Sequence, residues 1–295
     1  MKTTMNFTTS SEDIIRYDSA RELRSFYESF GLSGLELMYM GDNEKHLIEP
    51  DMVVGVHACC LTDWMELDRD FLLEHYRKDL RYAEKINAEY VVFHISQVSP
   101  AESLRYEPIR TDAEVIDASI ALINELLDGQ DYHFYFLMEN LWWPGLTFAD
   151  PAMTRRLLDG VHYEKKGFML DTGHFMNLHR EIRTPDEALS LLHKMLDAHE
   201  EFLPYIRGIH LNQSLSGAYV EDYLTHPAIP ESDPEKLFCQ VFEYIFRIDQ
   251  HKPFAAPGVR ELVQRIAPDF VTLEYITGDA REHARYLQEG MAALR

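Results

Sequence analysis

The chain of 295 residues carries 50 acidic against 28 basic side chains, a formal net charge of −22, with 46% hydrophobic and 12% aromatic residues. The apolar content suffices for one sizeable core, and the charge opposes attraction to phosphate backbones and anionic membranes, so nucleic acid is a disfavoured partner. No run of about 18 apolar residues spans a membrane, the first residues lack the apolar stretch of a signal peptide, and the three cysteines, with Cys59 and Cys60 adjacent, indicate no disulfide framework; a cytoplasmic location is expected.

In chain order, short β-rich runs alternate with longer segments of helical period, the pattern of parallel strands joined by crossover helices. The runs are Met5–Thr9, Gly34–Tyr39, Met52–His57, Tyr90–Ile95, His133–Glu139, Gly167–Asp171, Ile206–Leu211 and Phe270–Tyr275. Helices are predicted near 19–30, 70–87, 111–128, 151–159, 185–202, 234–249, 258–267 and from 279 to the end. Their starts carry Pro or Asp before the periodic run, as in "ADPAMTRRLL", "RTPDEALSLL" and "SDPEKLFCQVF". Between the second and third runs only "MGDNEKHLIEPD" intervenes, too short for a full helix, so that crossover is expected to be abbreviated. No linker or low-complexity tract divides the chain, and one α/β domain over 1–295, an eight-stranded (β/α)8 barrel, is the expectation.

In such a barrel the C-terminal ends of the strands surround one pocket. Those ends read "VVGVHACC" (His57), "YVVFHISQ" (His94), "YFLMENLWWPG" (Glu139), "GFMLDTGH" (Asp171 and His174), "IRGIHLNQ" (His210) and "FVTLEYITG" (Glu274), and the loop after the seventh strand, "SLSGAYVEDYLTHPAIPES", adds His226. Any one of them reads equally well as a hydrogen-bonded side chain at a loop mouth. In "LDTGH", for instance, Asp171 could simply cap the next helix with His174 on the surface, while Gly173 lets the chain turn sharply. Their recurrence at strand ends is harder to explain without a cation, because an uncompensated carboxylate beside an apolar strand is costly. The set reads as a metal site.

The motifs "LMEN", "LDTGH", "IHLNQ" and "TLEY", in that order and at strand ends, resemble those of the xylose isomerase-like TIM barrels, which include sugar isomerases, epimerases and endonuclease IV, over nearly the whole chain. In the epimerase branch the resemblance implies one divalent ion (manganese, magnesium or cobalt) held by Glu139, Asp171, His210 and Glu274, with Glu139 and Glu274 also carrying protons. In the endonuclease branch it implies a multinuclear zinc site that adds His57, His94, His174 and His226. That branch expects an Asp two residues before the last His, where this sequence has Leu224.

The leading expectation is therefore a metal-dependent isomerase or epimerase acting on a sugar or related carbonyl compound through an enediolate-type proton transfer. His57, His94, His174 and His226 would bind substrate or a second metal, and Trp142 and Trp143 would offer an aromatic face to a sugar, with packing as the plainer role. No Gly-rich phosphate loop or basic cluster stands out at the strand ends, which favours a non-phosphorylated small molecule. The alternative is an endonuclease IV-like zinc phosphoesterase. Its DNA-cleaving form is disfavoured by the charge, although a small phosphoester escapes that objection. Nothing in the sequence indicates an oligomeric interface.

Overall fold

The computed structural model describes residues 1–41 and 46–295. Eight parallel strands, β1 (Lys2–Thr8), β2 (Gly34–Met38), β3 (Val53–His57), β4 (Tyr90–His94), β5 (Tyr135–Glu139), β6 (Lys166–Asp171), β7 (Ile206–His210) and β8 (Phe270–Leu273), pair in sequence order, and β8 returns to β1 to close the barrel. Each corresponds to one of the expected runs. The runs are near-continuously apolar because both faces are covered. Val54, Tyr90, Val92, Leu137, Met169 and Phe270 fill the barrel interior, while neighbours such as Val56, Val91, Phe136 and Phe168 join the larger core that takes in the outer helices. Tyr90 fits inside only because residue 55 is glycine, where a Cβ would lie 2.1 Å from the tyrosine ring.

The crossover helices start where the sequence marks them. Asp68, Thr111, Asp150, Thr184 and Asp233 each accept a hydrogen bond from a first-turn N–H, and proline occupies the first turn after Asp150, Thr184 and Asp233. In the connection from β2 to β3, residues 42–45 lie outside the described residues, and the rest holds the 3-10 turn Pro50–Met52 in place of a crossover α-helix. The longest departure from the regular alternation lies between β7 and β8. There the helices Gly217–Tyr223 and Pro234–Ile248 pack with Val98, Leu104, Leu141, Trp142 and Trp143, residues that follow β4 and β5, into a second apolar cluster on the C-terminal side of the barrel. Among the described residues no helix is long and apolar enough to cross a membrane.

Strand register brings the polar strand ends together. His94 pairs with Glu139 across β4 and β5, and Asp171 with His210 across β6 and β7. Side chains at paired positions of parallel strands point to the same face, so each pair projects into the same mouth.

A candidate metal centre at the barrel mouth

Glu139 ends β5 with no solvent exposure, and its two oxygens face different partners. Oε2 lies 3.1 Å from His57 Nε2 and 3.1 Å from His94 Nε2. Oε1 lies 3.0 Å from His210 Nδ1 and 3.3 Å from His174 Nδ1. One carboxylate thus belongs to two donor groups at once. The first is His57, His94 and Glu139; the second is Glu139, Asp171, His210 and Glu274. In the second, His210 Nδ1 is also 3.1 Å from Glu274 Oε2 and 3.8 Å from Asp171 Oδ2.

A third group joins on the side of β6. Asp171, His174 and His251 present donor atoms within 4.8 Å of one another, and Asp249 Oδ2 stands 3.2 Å from His174 Nε2 and 2.8 Å from His251 Nε2. Asp249 and His251 follow the helix Pro234–Ile248 and were not among the residues singled out from the sequence. The turn carrying them is held by Ser214, whose Oγ accepts the N–H groups of Gln250 and His251 and lies 3.4 Å from Asp249 Oδ1. His251 takes a positive φ of 43°, a conformation that costs a non-glycine residue free energy and that the surroundings must enforce.

Outer contacts aim these side chains. His57 Nδ1 donates to the Ala58 carbonyl and His174 Nδ1 to the Asn140 carbonyl, both at 2.9 Å. His94 Nδ1 lies 3.0 Å from Cys60 Sγ. His210 turns Nε2 toward Glu36, 2.9 and 3.0 Å from its two oxygens. Asp171 caps the helix Thr172–Leu178 by accepting from the His174 N–H, and also accepts from Asn212 Nδ2 at 2.7 Å. The capping role and a buried imidazole therefore coexist, since His174 is only 3% exposed. The reason for Gly173 differs from the expected sharp turn: it sits in the helix, where a Cβ would lie 1.8 Å from Asn212 Oδ1, so glycine is required by close approach.

Electrostatics follow from this crowding. Burial alone pushes an imidazole down, but facing carboxylates outweigh it at His174 and His210, which are held well above the usual range. The same contest leaves His94, beside Cys60 and Glu139, at about 10, and His251, beside Asp249 and Glu274, at about 9. Glu139 and Glu274 are driven up by burial but held low by their histidines, whereas burial and like charge raise Asp171 to about 7. Glu274 Oε2 and His251 Nδ1, 3.7 Å apart, are buried without a well-formed hydrogen bond. A divalent ion bound here would displace the imidazole proton and meet both atoms, so the pair fits a shared cation. The donor set suits a divalent ion: five imidazoles and four carboxylates, six of the nine buried, convergent, and oriented from behind.

Two expectations change. His226 does not join the group. It lies beyond the helix Gly217–Tyr223, exposed, with Nδ1 3.0 Å from the Thr225 hydroxyl. An Asp-x-His spacing does occur beside the centre, at Asp249-Gln250-His251, while residue 224 is Leu. Trp142 and Trp143 are both buried in the second apolar cluster. Trp142 borders the centre, its ring 5.3 Å from that of His174, while Trp143 lies tilted against Tyr106, ring centroids 4.7 Å apart. Glu36 was also unmarked in the sequence, where "GLELM" reads as an ordinary strand.

A closed parallel barrel with buried imidazoles and carboxylates at the C-terminal ends of its strands defines a TIM barrel with a metal-type donor set. The chain belongs to the xylose isomerase-like TIM barrel family, whose model matches residues 42–295. Solved structures with this fold include endonuclease IV from Thermus thermophilus, at 15% identity and TM-score 0.56, with 100% of this chain and 99% of that chain covered. L-ribulose 3-epimerase gives 10% identity, TM-score 0.55 and coverage of 100% and 95%. The IOLI protein with a zinc atom gives 12% identity, TM-score 0.54 and coverage of 100% and 95%. Likeness at these identities shows the fold alone, and this fold hosts different chemistries. No curated protein matches the chain by sequence.

Proposed function

We propose that the chain is a divalent-metal-dependent phosphoesterase with a multinuclear, zinc-type centre, acting on a small phosphoester. The observation that carries this reading is the joining of donor groups at one mouth, with Glu139 shared between the first two and Asp249 standing beside His174 and His251 of the third. A single ion needs only four of these nine side chains, and five imidazoles favour a borderline cation such as zinc over magnesium. His57, His94 and Glu139 would hold one ion, Glu139, Asp171, His210 and Glu274 a second, and His174, Asp249 and His251 a third. When bound, such ions supply an activated water and the positive charge that offsets a phosphoryl group, which removes the need for a Gly-rich phosphate cradle.

The residues of the chain divide the remaining work. Glu139 sets the spacing of the first two groups through its two oxygens. Glu274, whose Oε2 faces His210 at 3.1 Å and His251 at 3.7 Å, is the carboxylate proposed to take a proton from a nucleophile. Trp142 walls the centre on the His174 side and limits water there. The charge of −22 disfavours a long polyanion, so the substrate proposed is a small molecule.

Isomerase chemistry on a sugar is the second reading, supported by Glu139 and Glu274 standing on one donor group. Metal content of protein purified without chelators separates the two readings, together with assays on chromogenic phosphomonoesters and phosphodiesters and on solvent-deuterium exchange into sugars. Two or three ions per chain with phosphoester turnover is the expected result. One ion per chain with exchange at a sugar carbon would replace the phosphoesterase by the isomerase.

A further inference from the structure

Glu36 is a carboxylate in the middle of β2, 1% exposed, in a strand otherwise apolar. It lies behind the donor groups and belongs to none of them. Tyr90 Oη donates to its Oε2 at 2.8 Å, Thr272 Oγ1 donates to the same oxygen at 2.8 Å, and His210 Nε2 approaches both oxygens at 2.9 and 3.0 Å. Both hydroxyls donate to Oε2, so neither reaches Oε1, and a buried carboxylate is costly unless it is matched. The partner able to match it is the imidazole, and that imidazole turns its other nitrogen, Nδ1, toward Glu139 and Glu274.

We infer that Glu36 is a positioning residue for His210. It accepts the Nε2–H, fixes the ring so that the Nδ1 lone pair faces the ions, and raises the basicity of that nitrogen. A carboxylate behind a ligating histidine does this generally, and its loss costs about 10- to 100-fold in metal affinity. Tyr90 and Thr272 keep the carboxylate itself from rotating, and Thr4, whose hydroxyl is 2.9 Å from that of Thr272, extends the support to β1. The inference rests on the reading of His210 as a metal ligand and holds for either chemistry.

The test compares zinc and manganese affinity, by chelator competition, in the wild-type chain and in the Glu36→Gln variant, alongside the thermal midpoint of each metal-free protein. The variant keeps side-chain volume but loses the charge. The expected result is an affinity weaker by about 10- to 100-fold, with a much smaller change in the metal-free midpoint than in the metal-loaded one. Wild-type affinity in the variant overturns the inference while leaving the metal centre intact. No metal bound by the wild type overturns the centre itself, and the inference with it. Should the variant fail to fold, histidine-labelled wild-type protein loaded with zinc decides by nitrogen NMR. A His210 Nε2–H slow to exchange, with Nδ1 ligating, is expected, and ligation through Nε2 refutes the role given to Glu36.

Discussion

The donors borne by strands and the pair borne by the loop after Pro234–Ile248 reach the same cluster by different physical means. His94 and Glu139 face the mouth because β4 and β5 are paired there, and Asp171 and His210 because β6 and β7 are. The ladder hydrogen bonds that close the barrel also set their spacing. Asp249 and His251 have no ladder of that kind beneath them. Their turn depends on Ser214, on a two-residue bridge between Gln213 and Lys252, and on a positive φ at His251. Positioning that comes with the fold is lost only when the fold is lost, whereas positioning by a few local hydrogen bonds against backbone strain can open on its own. The ion proposed for the loop pair is therefore expected to be the first to leave.

The largest effect tests the strand side. Glu139→Gln removes the shared carboxylate charge from two groups, so metal content should fall by about two ions per chain and activity by more than about 100-fold, beyond the upper end for outer contacts. Measuring metal by emission spectroscopy after gel filtration decides this. Full metal content in the variant would show that Glu139 is not shared.

On the loop side, Asp249→Asn and Ser214→Ala should each weaken one ion by about 10- to 100-fold and spare the others. A staged titration with a chelator should release one ion early in these variants and leave the release of the remainder unchanged. If all ions weaken together, the two regions form one unit and the distinction drawn between them fails.

Legibility in the sequence followed the same division. The strands and capped helices were readable because apolar runs and Asp-Pro or Thr-Pro starts reflect forces that act locally. His57, His94, Glu139, Asp171, His210 and Glu274 were readable as site candidates because each interrupts an apolar strand at its end. Asp249 and His251 follow a helix, where charge is ordinary, and only the Asp-x-His spacing marks them; His226 drew attention instead because its loop follows the seventh strand. Glu36 escaped notice because one carboxylate in a strand normally signals a solvent-facing position, and only barrel closure reveals that β2 has none. The need for glycine at 173 likewise comes from Asn212, a residue distant in sequence and unreadable locally.

A histidine outside both regions shows what the carboxylates change. His283 is 4% exposed, and burial, with Arg16 adding to it, lowers its pKa to about 4. No carboxylate offsets that burial as carboxylates do for His94, His174, His210 and His251. Its folded value lies below the unfolded one near 6.5, so the unfolded chain binds more protons between them. Stability from this residue is complete above about pH 6.5 and is lost as the pH falls toward 4, a loss of no more than about 3 kcal/mol. His283→Asn should flatten that part of the stability curve in urea titrations, with metal affinity unchanged. An acid limb as steep in the variant as in the wild type would assign the loss to other groups.

The smallest expected effect falls where the two regimes meet. His94 is carried by a strand, yet its Nδ1 is held by the loop residue Cys60 at 3.0 Å. Sulfur is large and a weak acceptor, so the contact orients the ring with little directional force. In Cys60→Ser the shorter side chain should leave a longer contact but can still accept the Nδ1–H. Metal affinity should then drop only a few-fold, below the usual range for an outer partner of a ligating histidine. Cys59→Ser is the control: at residue 59 the hydrogen bonds to Asp79 and His75 run through the backbone, so affinity should not change. A few-fold loss at residue 60 with none at residue 59 would show that the β4 ladder does most of the positioning of His94. A loss as large as that of Ser214→Ala would instead place His94 with the loop-borne donors, and the division between strand and loop would have to be redrawn through β4.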